Sequence, residues 1–252
     1  AVMYDMDAFR KGKSSLIGPE KELFGDLTGK RVLHLQCHFG QDSLSMARMG
    51  ASVVGVDISG EAVNIGNMLA EELGLDAKFY VADVMDMENL IDEEFDLIFT
   101  SYGVLIWLPD LQKWADTVAK HLKKGGRFLL VEFHPVGNLF DESFKEIQYT
   151  YFREQAVIEK EKGSYANPEA THVEGHSVTW DFSISEVLAP LLKAGLSLQD
   201  FQEYKYAPYN LYQNAIKTDQ GYQVKGLEGK IPYLFSVDMV KPEYYSDLRS
   251  GQ

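Results

Sequence analysis

Two aspartates sit where short apolar runs end: VVGVD closes at Asp57, and FYVAD closes at Asp83. A carboxylate can accept two hydroxyls at once, so Asp57 suits the paired hydroxyls of a ribose. Asp83, with Val84 beside it, suits the exocyclic amine of a purine held in an apolar slot. Upstream lies His34-Leu35-Gln36-Cys37-His38-Phe39-Gly40, then Gln41, Asp42 and Ser43. Two imidazoles and a thiol are zinc-ligand types. No fourth ligand lies near them and the spacing is not a helical His-x-x-x-His, so no metal is expected. Cys37 is expected to be a small buried residue. Gln41, Asp42 and Ser43 open a helical stretch, as caps or as ligand contacts. Further on, VEFHPV brings Glu132, His134 and Pro135 together. An imidazole with an unperturbed pKa of about 6.5 suits a general base near neutrality, and it equally suits a turn fixed against Pro135. His172, His176 and Trp180 are further candidates, set against a solvated hairpin for the histidines and core packing for the tryptophan.

Something must position these groups. From Lys30 to about Phe133, short β-branched or aliphatic runs (31–36, 52–57, 77–83, 95–101, 127–133) alternate with helical patterns. Ser59 is the expected N-cap of one helix, with Ile65, Leu69 and Leu73 on a face and Gly74 ending it. Leu111, Trp114, Ala115, Val118 and Leu122 form a second stripe, expected to stop at Gly125-Gly126. Apolar strands alternating with amphipathic helices predict a parallel sheet covered on both faces. After Pro135 the rhythm changes. YTYF, AVIEKEKGSYA and HSVTWDF alternate with period two and predict antiparallel strands. Ser183 and Glu186 have the spacing of a capping box, and Pro190 is expected to kink or shorten the helix that follows. Two last strands, 198–206 and 232–240, flank a Tyr-rich loop.

The expected fold is therefore an α/β, doubly wound, seven-stranded sheet with one antiparallel strand and a small β-rich insertion. The expected divisions are an N-terminal lead or lid at 1–29, a core at 30–135 and 183–252, and an insertion at 136–182 that covers the substrate. Ligands of such sheets bind beyond the carboxyl ends of the strands.

Composition narrows the partners. The 252 residues carry 24 Lys and Arg against 38 Asp and Glu, a net charge of −14, with no basic stripe. Such a surface repels polyphosphate, which speaks against nucleic acid as a substrate. No apolar run approaches the roughly 20 residues of a membrane span, so no membrane partner is expected. A single cysteine allows no intramolecular disulfide and fits a reducing cytoplasm. The inserted strands offer a surface for a homodimer.

The layout over residues 30–133, with the final strand pair, resembles the class I S-adenosylmethionine-dependent methyltransferases. That family's first motif is [D/E]-x-G-x-G-x-G. Here the acid is His34, Gln36 and His38 stand for two glycines, and only Gly40 remains. The string HLQCHFGQDSLSMARMGASVVGVDIS resembles a bacterial branch that carries LQCH-x-G at this place. The resemblance implies that S-adenosylmethionine is bound by Gln36, His38, Gly40, Gln41, Asp42, Asp57, Ile58, Asp83, Val84, Ser101 and Tyr102. It also implies that Thr100, Ser101 and Tyr102 lie under the adenine and methyl, and that Glu132, His134 and Pro135 face a small-molecule methyl acceptor. His134, or else His176, is the candidate base. Trp107 and Leu108 are expected to pack helix against sheet.

Two other readings stand beside this one. A catalytically silent relative would bind adenosyl ligands as a sensor or partner module. A nicotinamide-dependent reductase would need G-x-G-x-x-G after the first strand, and the turn here lacks it.

Overall fold

The computed structural model describes residues 5–87, 90–152, 155–162 and 174–243. Seven strands make the central sheet: β1 (Arg31–Leu35), β2 (Ser52–Asp57), β3 (Ala77–Val81), β4 (Phe95–Thr100), β5 (Leu122–Phe133), β8 (Ser197–Tyr204) and β11 (Leu234–Val240). Their order is β3-β2-β1-β4-β5-β11-β8. Strands β1 to β5 pair in parallel, and β11 runs antiparallel to both β5 and β8. Strand order reverses between β1 and β4, which opens a crevice at their carboxyl ends. Two small antiparallel pairs lie outside the sheet: β6 (Val157–Lys162) with β7 (Glu174–Thr179), and β9 (Ala215–Lys217) with β10 (Tyr222–Val224).

The central strands are apolar throughout because both faces are covered. On one face Leu33, Leu35, Val54, Val56, Ile98 and Leu130 pack with Trp114 and Val118 of α5 (Leu111–His121) and Val187 and Leu191 of α6 (Ile184–Lys193). On the other, Val32, Val53, Leu97, Phe99 and Leu129 meet Met46 of α3 (Gln41–Arg48) and Phe24 and Leu27 of the N-terminal segment. Phe79 on β3 packs with Val63 and Leu69 of α4 (Gly60–Leu73).

Local signals act as their chemistry dictates. The Ser59 side chain accepts from Ala62 N–H, and Gly74 ends α4 in the left-handed region. Ser183 and Glu186 form a reciprocal capping box. Three expectations need correction. Helix α5 ends at His121, before the glycine pair: Leu122 is already extended, and Gly125-Gly126 instead carry a register shift inside β5. Pro190 neither stops nor shortens α6, which runs on to Lys193. The YTYF segment is no strand, whereas β9 and β10 arise in the Tyr-rich loop. His172 lies outside the described residues.

The N-terminal segment folds back over the carboxyl edge of the sheet. Helix α1 (Met6–Arg10) buries Phe9, and Arg48 pins it by donating to Phe9 O at 2.8 Å with its guanidinium over the Phe9 ring. Ser15 then bonds to Asp42 and Ser45 of α3, and the short helix α2 (Glu20–Leu23) leads to β1.

Candidate active site

A cleft of about 710 Å³ opens at the carboxyl ends of β1 to β5, within the usual range for small-molecule sites. The turn after β1 forms part of its floor. Gln36, His38 and Gly40 have φ of +51°, +53° and +76°. These are the three positions that align with the glycines of the family motif. Two side-chain-bearing residues thus hold a left-handed backbone, at a cost of about 1–2 kcal/mol each. Hydrogen bonds over-determine the turn: His38 N–H donates to Asp57 Oδ2 at 2.7 Å, Cys37 N–H to Val56 O at 3.0 Å, and Gln36 Nε2 to Val104 O at 3.0 Å. Gly40 admits no substitute, because a Cβ there would sit 2.1 Å from the Phe79 ring.

The Asp57 carboxylate is held at both oxygens, since Oδ1 also accepts from Ser59 N–H at 2.9 Å. Each oxygen keeps acceptor capacity toward the cleft, which Asp57 lines with Ile58. Ile58 is 74% exposed, an apolar side chain at the mouth with little of the protein to cover it. Asp83 accepts from Met85 N–H at 2.9 Å, and Val84 is buried beside it. Gln36 Oε1 is buried with no partner, an acceptor in want of a donor. Carboxylates, an exposed apolar wall and an orphan acceptor are the complement of an adenosyl amino acid, so the residues fit that ligand.

At the end of β1, His34 is buried between Ser43 Oγ at 2.8 Å and Ser101 Oγ at 3.2 Å. Desolvation pushes its pKa down to about 3, so the ring is neutral. Burial also pushes the Cys37 thiol up, as does the charge of Asp57, making it unreactive. Among the described residues no three His, Cys, Asp or Glu side chains gather as a metal cluster.

The other part of the cleft is aromatic. Tyr102, Trp107, Phe133 and Tyr209 line it with Leu108, Leu211 and Ile17. Tyr102 lies edge-on to Tyr209 at 5.8 Å and tilted to Phe133 at 5.6 Å, and its hydroxyl bonds to the buried Glu20 carboxylate. Glu132 shapes this part from behind. Its carboxylate accepts from the N–H groups of Gly103, Val104, Leu105 and Phe133, holding the loop after β4. Burial raises its pKa to about 7 against the pull of those four donors.

Gln36, His38, Gly40, Gln41, Asp42, Asp57, Ile58, Asp83, Val84, Ser101 and Tyr102 all line this one cleft. His134 and His176 do not. His134 Nδ1 accepts from Val136 N–H at 3.2 Å, and Nε2 bonds Glu203 Oε1 at 2.9 Å. Nδ1 is engaged within the turn, and Nε2 is tied to Glu203 on β8. His176 is exposed on β7, opposite Lys160. Trp107 and Leu108 line the cleft, but only Leu108 packs in the core as expected, since Trp107 is exposed. The sequence reading missed Phe9, Ser15, Ile17, Tyr209 and Leu211. They come from the lead and from the loop before β9, where no strand end announces them.

Residues 32–126 match the family model described as a methyltransferase domain. Over those residues the chain carries a methyltransferase domain. The chain is 29% identical over 184 residues to the ubiquinone biosynthesis O-methyltransferase of Xanthomonas euvesicatoria pv. vesicatoria (strain 85-10), covering 73% of this chain and 70% of that one. Its fold matches an S-adenosylmethionine-dependent methyltransferase from Mesorhizobium loti with TM-score 0.59 at 17% identity, over 92% of this chain and 99% of the other. It also matches the glycopeptide N-methyltransferase MtfA complexed with S-adenosylmethionine, with TM-score 0.57 at 14% identity, over 88% and 92%. The reductase alternative ends here. No described helix is long and apolar enough to cross a membrane.

Proposed function

We propose that this methyltransferase passes the methyl group of S-adenosylmethionine to a small aromatic acceptor, with a ring hydroxyl as the nucleophile. The observation that carries the acceptor class is the aromatic part of the cleft, where Tyr102, Trp107, Phe133 and Tyr209 offer ring faces and edges to a planar guest. The O-methyltransferase name of the Xanthomonas relative supports oxygen as the accepting atom.

The bound cofactor supplies an activated methyl on a sulfonium. The chain's own work is to hold and orient. Asp57 accepts the ribose hydroxyls, its carboxylate already aimed by His38 and Ser59 N–H groups. Asp83 takes the adenine amine, and Ile58 and Val84 supply the apolar walls. Gln36, His38, Gly40, Gln41 and Ser101 complete the floor beneath. Tyr102 marks the boundary between the polar and aromatic parts, fixed by its bond to Glu20. Holding acceptor and methyl at attack distance lowers the barrier by several kcal/mol, and the proton of the accepting hydroxyl passes to water as its oxygen takes the methyl. His134 is not assigned as a base. The lead and the 136–182 insertion serve as covers, and the lone buried Cys37 suits a reducing cytoplasm.

Calorimetry with S-adenosylhomocysteine, followed by methyl-transfer assays against small phenols and aliphatic alcohols of equal size, tests the reading. Transfer confined to the phenols is expected. Asp57→Ala should weaken S-adenosylhomocysteine at least tenfold, because each charged hydrogen bond is worth about 1.5–3 kcal/mol, and the variant should still fold, with a lower melting temperature from the lost His38 and Ser59 N–H bonds. An unchanged dissociation constant removes Asp57 from the site.

A further inference from the structure

Glu132 stands next to the end of β5 with 1% of its surface exposed. Its Oε1 accepts from Gly103 N–H and, at 2.6 Å, from Phe133 N–H, while Oε2 accepts from Val104 and Leu105 N–H at 3.0 and 3.2 Å. Gly103 has φ of +71° and Val104 is right-handed, an alternation that turns successive N–H groups into one concavity for an anion. The chain fills that concavity with its own carboxylate. What the concavity carries is the aromatic side of the cleft. Tyr102 precedes it, the single helical turn Leu105–Trp107 follows, and Tyr102, Val104, Trp107 and Leu108 all line the cleft. The end of the insertion rests on the same turn, since Trp180 N–H donates to Ile106 O at 2.8 Å.

Resting on the reading of the aromatic part as the acceptor site, we propose that Glu132 is a positioning residue for the methyl acceptor: its ionised carboxylate draws the loop after β4 into the wall on which the acceptor lies. An ionised carboxyl offers about four lone-pair sites, and four N–H donors fill them here. A protonated carboxyl turns one O–H against those same donors, so an N–H loses its partner and the wall loosens. The cofactor floor is held by other bonds, His38 N–H to Asp57 and Cys37 N–H to Val56 O, and touches this loop through Gln36 Nε2 on Val104 O. Acceptor binding is therefore the step that follows the charge of Glu132. Burial raises its pKa to about 7 against the four donors, and among the described residues no charged side chain shares in that balance. On the surrounding elements, Tyr102 after β4 is bonded to Glu20, His134 past β5 to Glu203 of β8, and Asp181 before α6 to Asn138, while β11 sets the apolar Phe235 opposite Glu132.

Catechol at saturating S-adenosylmethionine is the acceptor probe, and S-adenosylhomocysteine calorimetry is the cofactor probe. The wild-type KM for catechol should rise about fourfold from pH 8 to pH 6.5, as for a site competent only when a group of pKa about 7 is ionised. Glu132→Gln, whose amide brings two N–H donors among the four, should raise that KM at least tenfold at pH 8 and leave it flat with pH. Its affinity for S-adenosylhomocysteine should stay within threefold of wild type, which also reports a folded variant. In the ligand-free, ¹⁵N-labelled wild-type protein, the amide protons of Gly103, Val104 and Leu105 should shift together with one midpoint near pH 7. Should the variant not fold, the wild-type KM profile and this amide titration decide. A KM for catechol indifferent to pH, amides that titrate separately or not at all, or an equal loss of catechol and S-adenosylhomocysteine in the variant overturns the positioning role and leaves the function standing. A wild-type protein that binds S-adenosylhomocysteine but does not methylate catechol or other small phenols overturns the phenol reading, and the acceptor role of Glu132 with it.

Discussion

The turns after β1 and β5 leave the same edge of the same sheet, and both begin with residues able to do chemistry. Their fates differ. After β1, Gln36, His38 and Gly40 turn through left-handed conformations, which brings the backbone against the cleft and leaves Gln36 Oε1 without a partner. After β5, His134 spends both ring nitrogens within the protein, on Val136 N–H and Glu203, and stays outside the cleft lining. A strand end supplies a place for chemistry. Unsatisfied bonding capacity at the cavity distinguishes the first turn from the second.

Three variants probe this contrast. The largest effect is expected from Gly40→Ala. A Cβ would meet the Phe79 ring at 2.1 Å on a backbone with φ of +76°, so overpacking and strain should cost about 2–4 kcal/mol in urea unfolding. A loss near zero would show that the turn yields easily, and that its left-handed residues are not held as tightly as the hydrogen bonds require.

Next comes His34. Its folded pKa of about 3 lies below the unfolded value of about 6.5. The unfolded chain therefore binds a proton that the folded one refuses, and stability from this group is lost as the pH falls through 6.5. Asp42 and Glu132, raised to about 6 and about 7, act in the opposite sense, because they hold protons that the unfolded chain has released. The wild-type curve alone mixes these signs, so the comparison is with His34→Gln. Between pH 7 and pH 5 the wild-type protein should lose about 2 kcal/mol more than the variant. Parallel curves would mean that the imidazole is not confined between Ser43 and Ser101.

The smallest effect is expected at His134. Replacing it with Gln should cost about 1 kcal/mol of stability through the altered turn bonds, with S-adenosylhomocysteine affinity and turnover within twofold of wild type. A selective fall in turnover near pH 7 would restore the imidazole to the mechanism and erase the contrast between the two turns.

Much of this protein was legible in its residues. The seven strands, the Ser59 and Gly74 helix ends and the Ser183–Glu186 capping box follow from signals that act within a few residues, so a linear reading captures them. The polar half of the cleft was legible for a related reason. Parallel strands deliver their carboxyl ends to one edge, which brings Asp57, Asp83 and the turn at Gln36–Gly40 together wherever the alternation of strand and helix holds. Side-chain types alone did not say what the His134 ring nitrogens would bond. That depended on Glu203, 69 residues away on β8, and only strand pairing through β11 sets the distance between them. The aromatic half was illegible for the same reason: Tyr102 after β4, Phe133 at the end of β5 and Tyr209 in the loop before β9 come from separate parts of the chain. Asp42 shows the division within one residue. The sequence determines that a carboxylate opens α3, while its raised pKa and its place in the cleft come from Ser15, Glu20 and the folded-back lead, through desolvation and charge that exist only once distant segments pack.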